Sequence, residues 1–382
     1  MEFMYGIPSF LKFGNGVSKE VGEIAKNAFG AKNVFFIYDK GVKAAGIADG
    51  VLASLKDAGL NVTEFDGVLP NPPDTLVEEA ATLARAANVD VTVALGGGSS
   101  IDVAKAINVL LTNPSPINQY NGMGLVKNPT KPLIAIPTAS GTGSEVTTFS
   151  IVTDTKEQFK MVIGGPFVGA TMALADPELT VGLPPAITAS TGVDALTHAI
   201  EAYVSNWHMI PTDVNALKAI ELISANLEEA VNNGSNVEAR ANMLLGAIMA
   251  GYAFNNAILG LVHSIAHPLS VHCGVPHGVA NAVVLPYVME FNTPACPERF
   301  KDIALAMGLD VANSTPEEAS KAGVQFILDL YKKIDMPTLE GAGVPRDIFE
   351  KLSVEAVNEA GTVFNPRVPT PADVLAILEK AW

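Results

Sequence analysis

All six histidines of the chain, at 198, 208, 263, 267, 272 and 277, fall within about a fifth of its length. Asp194 and His198 stand four apart in TGVDALTHAIEAY, and His263 and His267 repeat that spacing in LVHSIAHPL. On a helix, residues four apart project from one face, so each pair aims two electron-pair donors in one direction. His277 follows a bend at Gly274 to Pro276 and can return toward the same point. One carboxylate with several imidazoles suits a divalent ion such as Zn, Fe, Co or Ni. By spacing alone, five residues are candidate ligands: Asp194, His198, His263, His267 and His277.

A lone buried histidine is more often a hydrogen-bonded core residue than a ligand. The surroundings here argue the other way. No Asp, Glu, Lys or Arg occurs from 241 to 289, yet four histidines do. Titratable rings are costly in such an apolar layer unless something binds them. His208, between Trp207 and Met209, lies outside the spaced pairs and reads as incidental. His272 stays ambiguous, and Cys273 reads as a small buried side chain.

A second chemistry lies upstream. The apolar run 90–95 leads into Gly96-Gly97-Gly98-Ser99-Ser100, and a helix begins near Ile101. Glycines let backbone N–H groups approach an anion, and the dipole of the following helix favours a phosphate. Gly141-Thr142-Gly143-Ser144-Glu145 repeats the device after Pro137-Thr138. Either turn alone could be a tight connection; two at strand ends point to a dinucleotide site. The usual order puts an acid about 20 residues after the glycines, whereas Asp39 precedes them here. At a strand end it can still bond a ribose and repel a 2′-phosphate, favouring NAD over NADP, although it also suits an ordinary turn.

The elements that must hold these groups follow from periodicity. Strands are expected at 33–38, 61–65, 90–95, 133–137 and 149–153, with helical patterns at 46–58 and 76–87 between them. Gly182 and Pro184-Pro185 break the chain. Beyond them, helices are expected at 186–205, 211–231, 237–266, 297–308, 315–333 and 372–381. The 382 residues thus divide into an α/β domain over 1–182 and a helical domain over 183–382.

Composition narrows the partners. A formal net charge of -16 opposes nucleic acid and anionic membranes. The uncharged stretch 241–289 contains Asn242, Asn255, Asn256 and four histidines, so it reads as buried core and not as a lipid span. Residues 1–13 lack a basic stretch followed by an apolar run, so no signal peptide and a cytoplasmic location are expected. Two cysteines provide no disulfide framework. A charged fraction of only 17% suggests buried subunit interfaces.

Over nearly its full length the chain resembles the iron-containing (group III) alcohol dehydrogenases. The likeness rests on GGGSSIDVAKAI (96–107), PTASGTGSEVT (137–147), GVDALTHAIEAYVS (192–205), GLVHSIAHPLSVHCGVPHG (260–278) and NPR (365–367). It implies a dinucleotide-binding α/β domain followed by an all-α metal-binding domain, the architecture shared with dehydroquinate synthase. By this resemblance Asp194, His198, His263 and His277 are the metal ligands, and His267 is the non-ligand histidine beside the substrate. Gly97, Gly98, Ser99, Thr138, Ser140, Thr142 and Thr147 resemble the pyrophosphate and nicotinamide contacts. Asp39, Asn71 and Lys160 resemble the ribose-side and neighbouring contacts. Ile151 and Phe254 are implied to face the alcohol, and Gly361 stands where relatives often carry a cysteine. Fe²⁺ is the implied metal, with Zn²⁺ or another divalent ion used by some members, and a homodimer or larger homo-oligomer the implied assembly.

The expected reaction is NAD-linked alcohol oxidation and aldehyde reduction. Three neutral imidazoles and one carboxylate leave a divalent ion with a net charge of about +1, which stabilises negative charge on a substrate oxygen. The nicotinamide exchanges hydride with the alcohol carbon, and His267 relays the hydroxyl proton. A glycerol, 1,2- or 1,3-propanediol dehydrogenase would differ only in substrate. A dehydroquinate synthase-like lyase would need several cations for a phosphorylated substrate, and 191–280 offers only Lys218 and Arg240. A non-catalytic nucleotide-binding subunit would not need all four ligand positions filled.

Overall fold

The computed structural model describes residues 3–382. Two compact units are present. One comprises Ile7–Ala139 and Gly143–Gly182; the other comprises Leu183–Trp382, Ser140–Thr142 and residues 3–6.

The first unit alternates strands with helices. In order these are β1 (Phe10–Phe13), α1 (Val21–Phe29), β2 (Asn33–Asp39), α2 (Lys40–Ala44), α3 (Ile47–Asp57), β3 (Asn61–Val68), α4 (Asp74–Ala86) and β4 (Val91–Gly96). There follow α5 (Gly98–Thr112), β5 (Gly122–Met123), β6 (Leu133–Pro137), β7 (Phe149–Asp154), β8 (Phe159–Gly164) and β9 (Met172–Ala175). Six strands form a parallel sheet in the order β1-β9-β6-β4-β2-β3. Phe35 and Ile37 of β2 enter one apolar layer with Val77 of α4 and Ile101 of α5. Val34, Phe36 and Tyr38 enter the opposite layer with Val21 of α1 and Leu55 of α3. Burial on both faces explains why NVFFIYD is apolar from Val34 to Tyr38. β7 and β8 pair antiparallel in a second, small sheet, with Ile151 opposite Val162 and Thr153 opposite Lys160.

This topology puts the strand ends that lead into the glycine turns side by side. The chain moves outward from β2 to β3, then crosses to the other side of β2 to lay down β4. Open α/β sheets bind ligands outside the strand carboxyl ends at such a reversal. Asp39 ends β2, Gly96 ends β4 and Pro137 ends β6, on three adjacent strands. Gly96 and Pro137 are in register, and the Thr138 N–H donates to the Gly96 carbonyl at 3.1 Å.

The second unit is helical, and among the described residues no strand follows β9. Its helices are α6 (Pro185–Val204), α7 (Ile210–Asn232), α8 (Val237–Ala257), α9 (Leu261–Cys273), α10 (His277–Asn292), α11 (Pro297–Ala306), α12 (Pro316–Lys333), α13 (Phe349–Asn358) and α14 (Pro371–Ala381). α6 packs against α7, α8 and α10 and is buried continuously from Gly192 to Val204. A Cβ on Gly192 would lie 2.4 Å from Leu227 Cδ1 and 2.8 Å from Met243 Cε, so a side chain there would require these two to move.

Two sequence expectations change here. The helix expected over 237–266 is two helices, α8 and α9, bent by 102° from each other. Ile258 adopts φ 64°, a left-handed conformation that ends α8. α10 and α13 were not anticipated. HGVANAVVLPYVMEFN is apolar on nearly every face, so α10 shows no amphipathic stripe.

Candidate metal centre and dinucleotide turns

α6 presents Asp194 and His198 one turn apart, α9 presents His263 in its first turn, and α10 opens with His277. One donor atom from each of these four lies within 4.8 Å of all the others. Asp194 Oδ1 is the common vertex, 3.8 Å from His198 Nε2, 3.7 Å from His263 Nε2 and 3.8 Å from His277 Nε2. A tetrahedral shell with bonds near 2.1 Å has edges of about 3.4 Å, and the three edges to Asp194 lie within a few tenths of an ångström of that value. Asp194, His198 and His263 are almost fully buried, while His277 keeps 29% of its side chain exposed.

The polar surroundings test that fit. Asn281, one turn after His277, donates from Nδ2 to Asp194 Oδ1 at 2.6 Å. The same nitrogen lies 3.1 Å from His263 Nε2 and 3.3 Å from His277 Nε2. Its own buried Oδ1 has no hydrogen-bond partner. One carboxylate oxygen and two imidazole nitrogens thus converge on a single amide nitrogen, as they would on a cation. A divalent metal fits this donor set.

Electrostatics point the same way. Burial pushes His198 down to about 4, only partly opposed by Asp194, so its ring is neutral at pH 7. Burial also lowers His263, but Asp194 and Glu201 outweigh it and hold this ring at about 9. Burial would raise Asp194; His198, His277 and His263 together outweigh it and keep the carboxyl far below its usual range. Metal binding therefore competes with a proton at His263.

His267 stands apart. It shares α9 with His263, but its ring stacks on His277 at 5.7 Å between centroids and its Nδ1 lies 3.3 Å from Glu359 Oε2. It is outside the convergent four. Phe254 stacks on His198 with centroids 4.5 Å apart. His272 bonds Glu355 at 2.6 Å and His208 pairs with Asp213 at 3.2 Å, so both are used by local ion pairs. Arg240 donates to Thr188 Oγ1 and to the Leu183 and Gly234 carbonyls, and Lys218 pairs with Glu221. Neither cation is spare for a phosphorylated substrate. At Gly361 a Cβ would lie 2.9 Å from Ser264 Oγ and 3.1 Å from the Gly260 carbonyl, which accounts for glycine there.

In the α/β unit, Gly97 is the N-cap of α5, and Gly98 and Ser99 form its first turn. Asp39 caps α2 by accepting from the Val42 N–H at 2.9 Å, and Ser100 Oγ lies 3.5 Å away from its other oxygen. Thr138 follows β6 directly, and Thr147 follows the second glycine turn. Asn71 lies beyond β3 with φ 49°, its carbonyl accepting from Thr153 Oγ1. Lys160 lies on β8 and Ile151 on β7. Ser140 and Thr142 group with the helical unit, where Gly141 fits against Thr191 so closely that a Cβ would come within 2.8 Å.

Besides Asn281, sequence reasoning missed two features. The first is a buried network joining the two glycine turns. Lys105 Nζ donates to Ser144 Oγ, Thr147 Oγ1 and the Phe149 carbonyl at 3.0, 3.3 and 2.6 Å, and Ser144 Oγ donates to Asp102 at 2.6 Å. Burial lowers Lys105 to about 8, raises Glu145 to about 7 and raises Asp102. The DVAK spacing on α5 was the available signal. The second is Glu201, buried against His263, which corrects the picture of a ligand layer free of charge. In IEAYV it looks like an ordinary surface glutamate.

Comparison with known proteins places these features in context. Residues 8–177 match the family model described as iron-containing alcohol dehydrogenase, and residues 188–382 match that of the Fe-containing alcohol dehydrogenase family, C-terminal. The chain is 41% identical to a choline dehydrogenase of Bacillus subtilis (strain 168), over 95% of this chain and 91% of that protein. It is 38% identical to an NAD-dependent methanol dehydrogenase of Bacillus methanolicus, over 98% of each. Among solved structures it resembles a 1,3-propanediol oxidoreductase at TM-score 0.97 and 39% identity, covering 100% of both chains.

Proposed function

The chain belongs to the iron-containing alcohol dehydrogenase family, and from that premise we propose that it oxidises short primary alcohols or diols with NAD⁺ and reduces the corresponding aldehydes. The convergence of Asp194, His198, His263 and His277 carries this reading. These four hold the divalent metal, with Fe²⁺ favoured by the family and Zn²⁺ compatible with the same donors. When bound, the ion supplies a Lewis acid for the substrate oxygen. NAD supplies the hydride acceptor.

The protein's own residues do the rest. The amides of Gly97, Gly98 and Ser99 at the start of α5 bind the pyrophosphate, where free N–H groups and the helix dipole meet an anion. Thr138, Ser140, Thr142 and Thr147 add hydroxyl contacts. Asp39 accepts from the ribose and rejects a 2′-phosphate, with Asn71 and Lys160 beside it. His267 takes the hydroxyl proton at Nε2 while Nδ1 gives one to Glu359, whose side chain is 38% exposed. By the family resemblance Phe254, which stacks on His198, and Ile151 face the alcohol, and their apolar side chains suit a short carbon chain.

A homo-oligomer and a cytoplasmic location are part of the proposal. The first is supported by exposed apolar side chains such as Phe10, Trp207 and Val368, the second by the free cysteines Cys273 and Cys296. An anaerobic panel of C2–C4 alcohols, diols and aldehydes with NAD(H), on protein of measured metal content, tests the reading. NAD-linked turnover of short primary alcohols or diols is expected. No turnover after Fe²⁺ loading would favour a nucleotide-binding subunit instead.

A further inference from the structure

α9 carries His263 but starts without a side-chain cap of its own. Its N-cap is Gly260, and the first N–H groups of a helix have no partner within the helix. Two distant residues provide them. The Leu261 N–H donates to Asn365 Oδ1 at 3.2 Å, and the Val262 N–H donates to Glu201 Oε1 at 2.6 Å. Asn365 is itself clamped by Asn292, with amide bonds of 2.7 and 3.0 Å running in both directions. A Cβ on Gly260 would lie 2.9 Å from Asn365 Oδ1 and 3.1 Å from Glu201 Oε1, so the two acceptors occupy the space a side-chain cap would use.

Glu201 has a second bond. Its Oε2 lies 2.6 Å from His263 Nδ1, and the residue is 2% exposed. It sits on α6 three residues beyond His198, so one carboxylate ties the helix of Asp194 and His198 to the helix of His263. In the neutral ring that a metal requires, a carboxylate can only accept from Nδ1–H, which leaves the lone pair on Nε2, the atom facing Asp194. His198 contrasts: no carboxylate pairs with its buried Nδ1.

We propose that Glu201 is a positioning residue that caps α9 with one oxygen and fixes the metal-ready tautomer of His263 with the other. The inference rests on the ligand assignment above. It has a sharp chemical consequence. Both groups facing Glu201 are donors, and a glutamine in its place has one oxygen and one NH₂. It can serve Val262 or His263, not both. If its oxygen keeps the cap, its NH₂ faces Nδ1 and drives the proton to Nε2, where it blocks coordination.

The test is Co²⁺ binding by metal-free protein, followed by chelator competition and by the visible absorption of the bound ion. Glu201→Gln should bind Co²⁺ about 10–100-fold more weakly, the range typical for outer partners of metal-bound histidines, and with altered bands. Asn365→Ala, which removes the Leu261 cap together with the bonds to Asn292 and the Arg367 carbonyl but leaves Glu201 in place, should lower the melting temperature and change the Co²⁺ affinity less than about threefold. Wild-type affinity and spectrum in Glu201→Gln would overturn the proposal. So would an equal loss in Asn365→Ala, since loosening of α9 alone would then explain both. Failure of the wild type to bind Co²⁺ would sink the ligand assignment as well, which distinguishes the two. A readout independent of variant folding is the ¹⁵N-histidine spectrum of Zn²⁺-loaded wild type. A solvent-protected Nδ1–H is expected, and its absence would contradict the proposal.

Discussion

Asp39 does two jobs that one substitution separates. Its carboxylate caps α2 through the Val42 N–H, and its charge is the feature assigned to rejecting a 2′-phosphate. Asparagine caps as well as aspartate does but carries no charge. Asp39→Asn should therefore raise kcat/KM for NADP⁺ relative to NAD⁺ about tenfold, or about 1.4 kcal/mol, and leave thermal stability within about 0.5 kcal/mol. An unchanged cofactor ratio in steady-state kinetics would remove Asp39 from the selection. Much at this scale was legible in the sequence: spacing and a scarcity of other charge pick out five candidates, Asp194, His198, His263, His267 and His277, and the family resemblance narrows them to four. What spacing left open was which of the five candidates converge. His267 has the right spacing from His263, yet its ring faces Glu359 and His277. Glu201 and Asn281 were invisible for a different reason. Their importance comes from the atoms they face across helices, and nothing local in IEAYV or GVANA records it.

Between elements, the ligand set depends on how closely α10 approaches α6. His277 is the first residue of α10, and at the next position a Cβ would fall 2.4 Å from the Ser190 carbonyl oxygen and 2.8 Å from its carbon. The obstacle is backbone, so no side-chain rotation relieves it. Gly278→Ala must push the two helices apart, at a cost of about 1–3 kcal/mol as in other overpacked contacts. It should also weaken metal binding, because His277 moves away from Asp194. Denaturant unfolding with a parallel metal titration checks both, and wild-type values in each would contradict the account. The elements themselves were read unevenly. Strands β2, β4 and β6 were plain, since burial on both faces leaves short apolar runs ended by Asp39, by the triple glycine and by Pro137-Thr138. The α8–α9 break was not. It depends on Ile258 at φ 64° and on capping by Glu201 and Asn365, a partnership spanning more than a hundred residues in the case of Leu261 and Asn365.

At the scale of the whole chain, two buried groups give the stability a defined pH dependence. Glu145 titrates near 7 when folded, above its usual 4.5, so the native state binds more protons across that window. The stability it contributes is present below about 4.5 and is lost as pH rises through 7. Lys105, lowered from 10.5 to about 8, acts in the opposite sense, and stability recovers from about 8 toward 10.5. The stability difference between wild type and Glu145→Gln should therefore shift by on the order of 3 kcal/mol between pH 4.5 and 7, at about 1.36 kcal/mol per pH unit. Urea melts at several pH values would show it, and a flat difference would place the Glu145 carboxyl in a more polar setting. The central claim concerns the four donors that meet between α6, α9 and α10, and the chemistry they support. Its most direct test is an anaerobic Fe²⁺ titration of metal-free protein, following NADH oxidation with a short aldehyde, alongside His263→Ala. The account predicts turnover that rises with bound metal, saturates at one ion per chain, and is lost in the variant together with the metal. Full turnover without metal, or a His263→Ala protein that keeps both metal and activity, would contradict it.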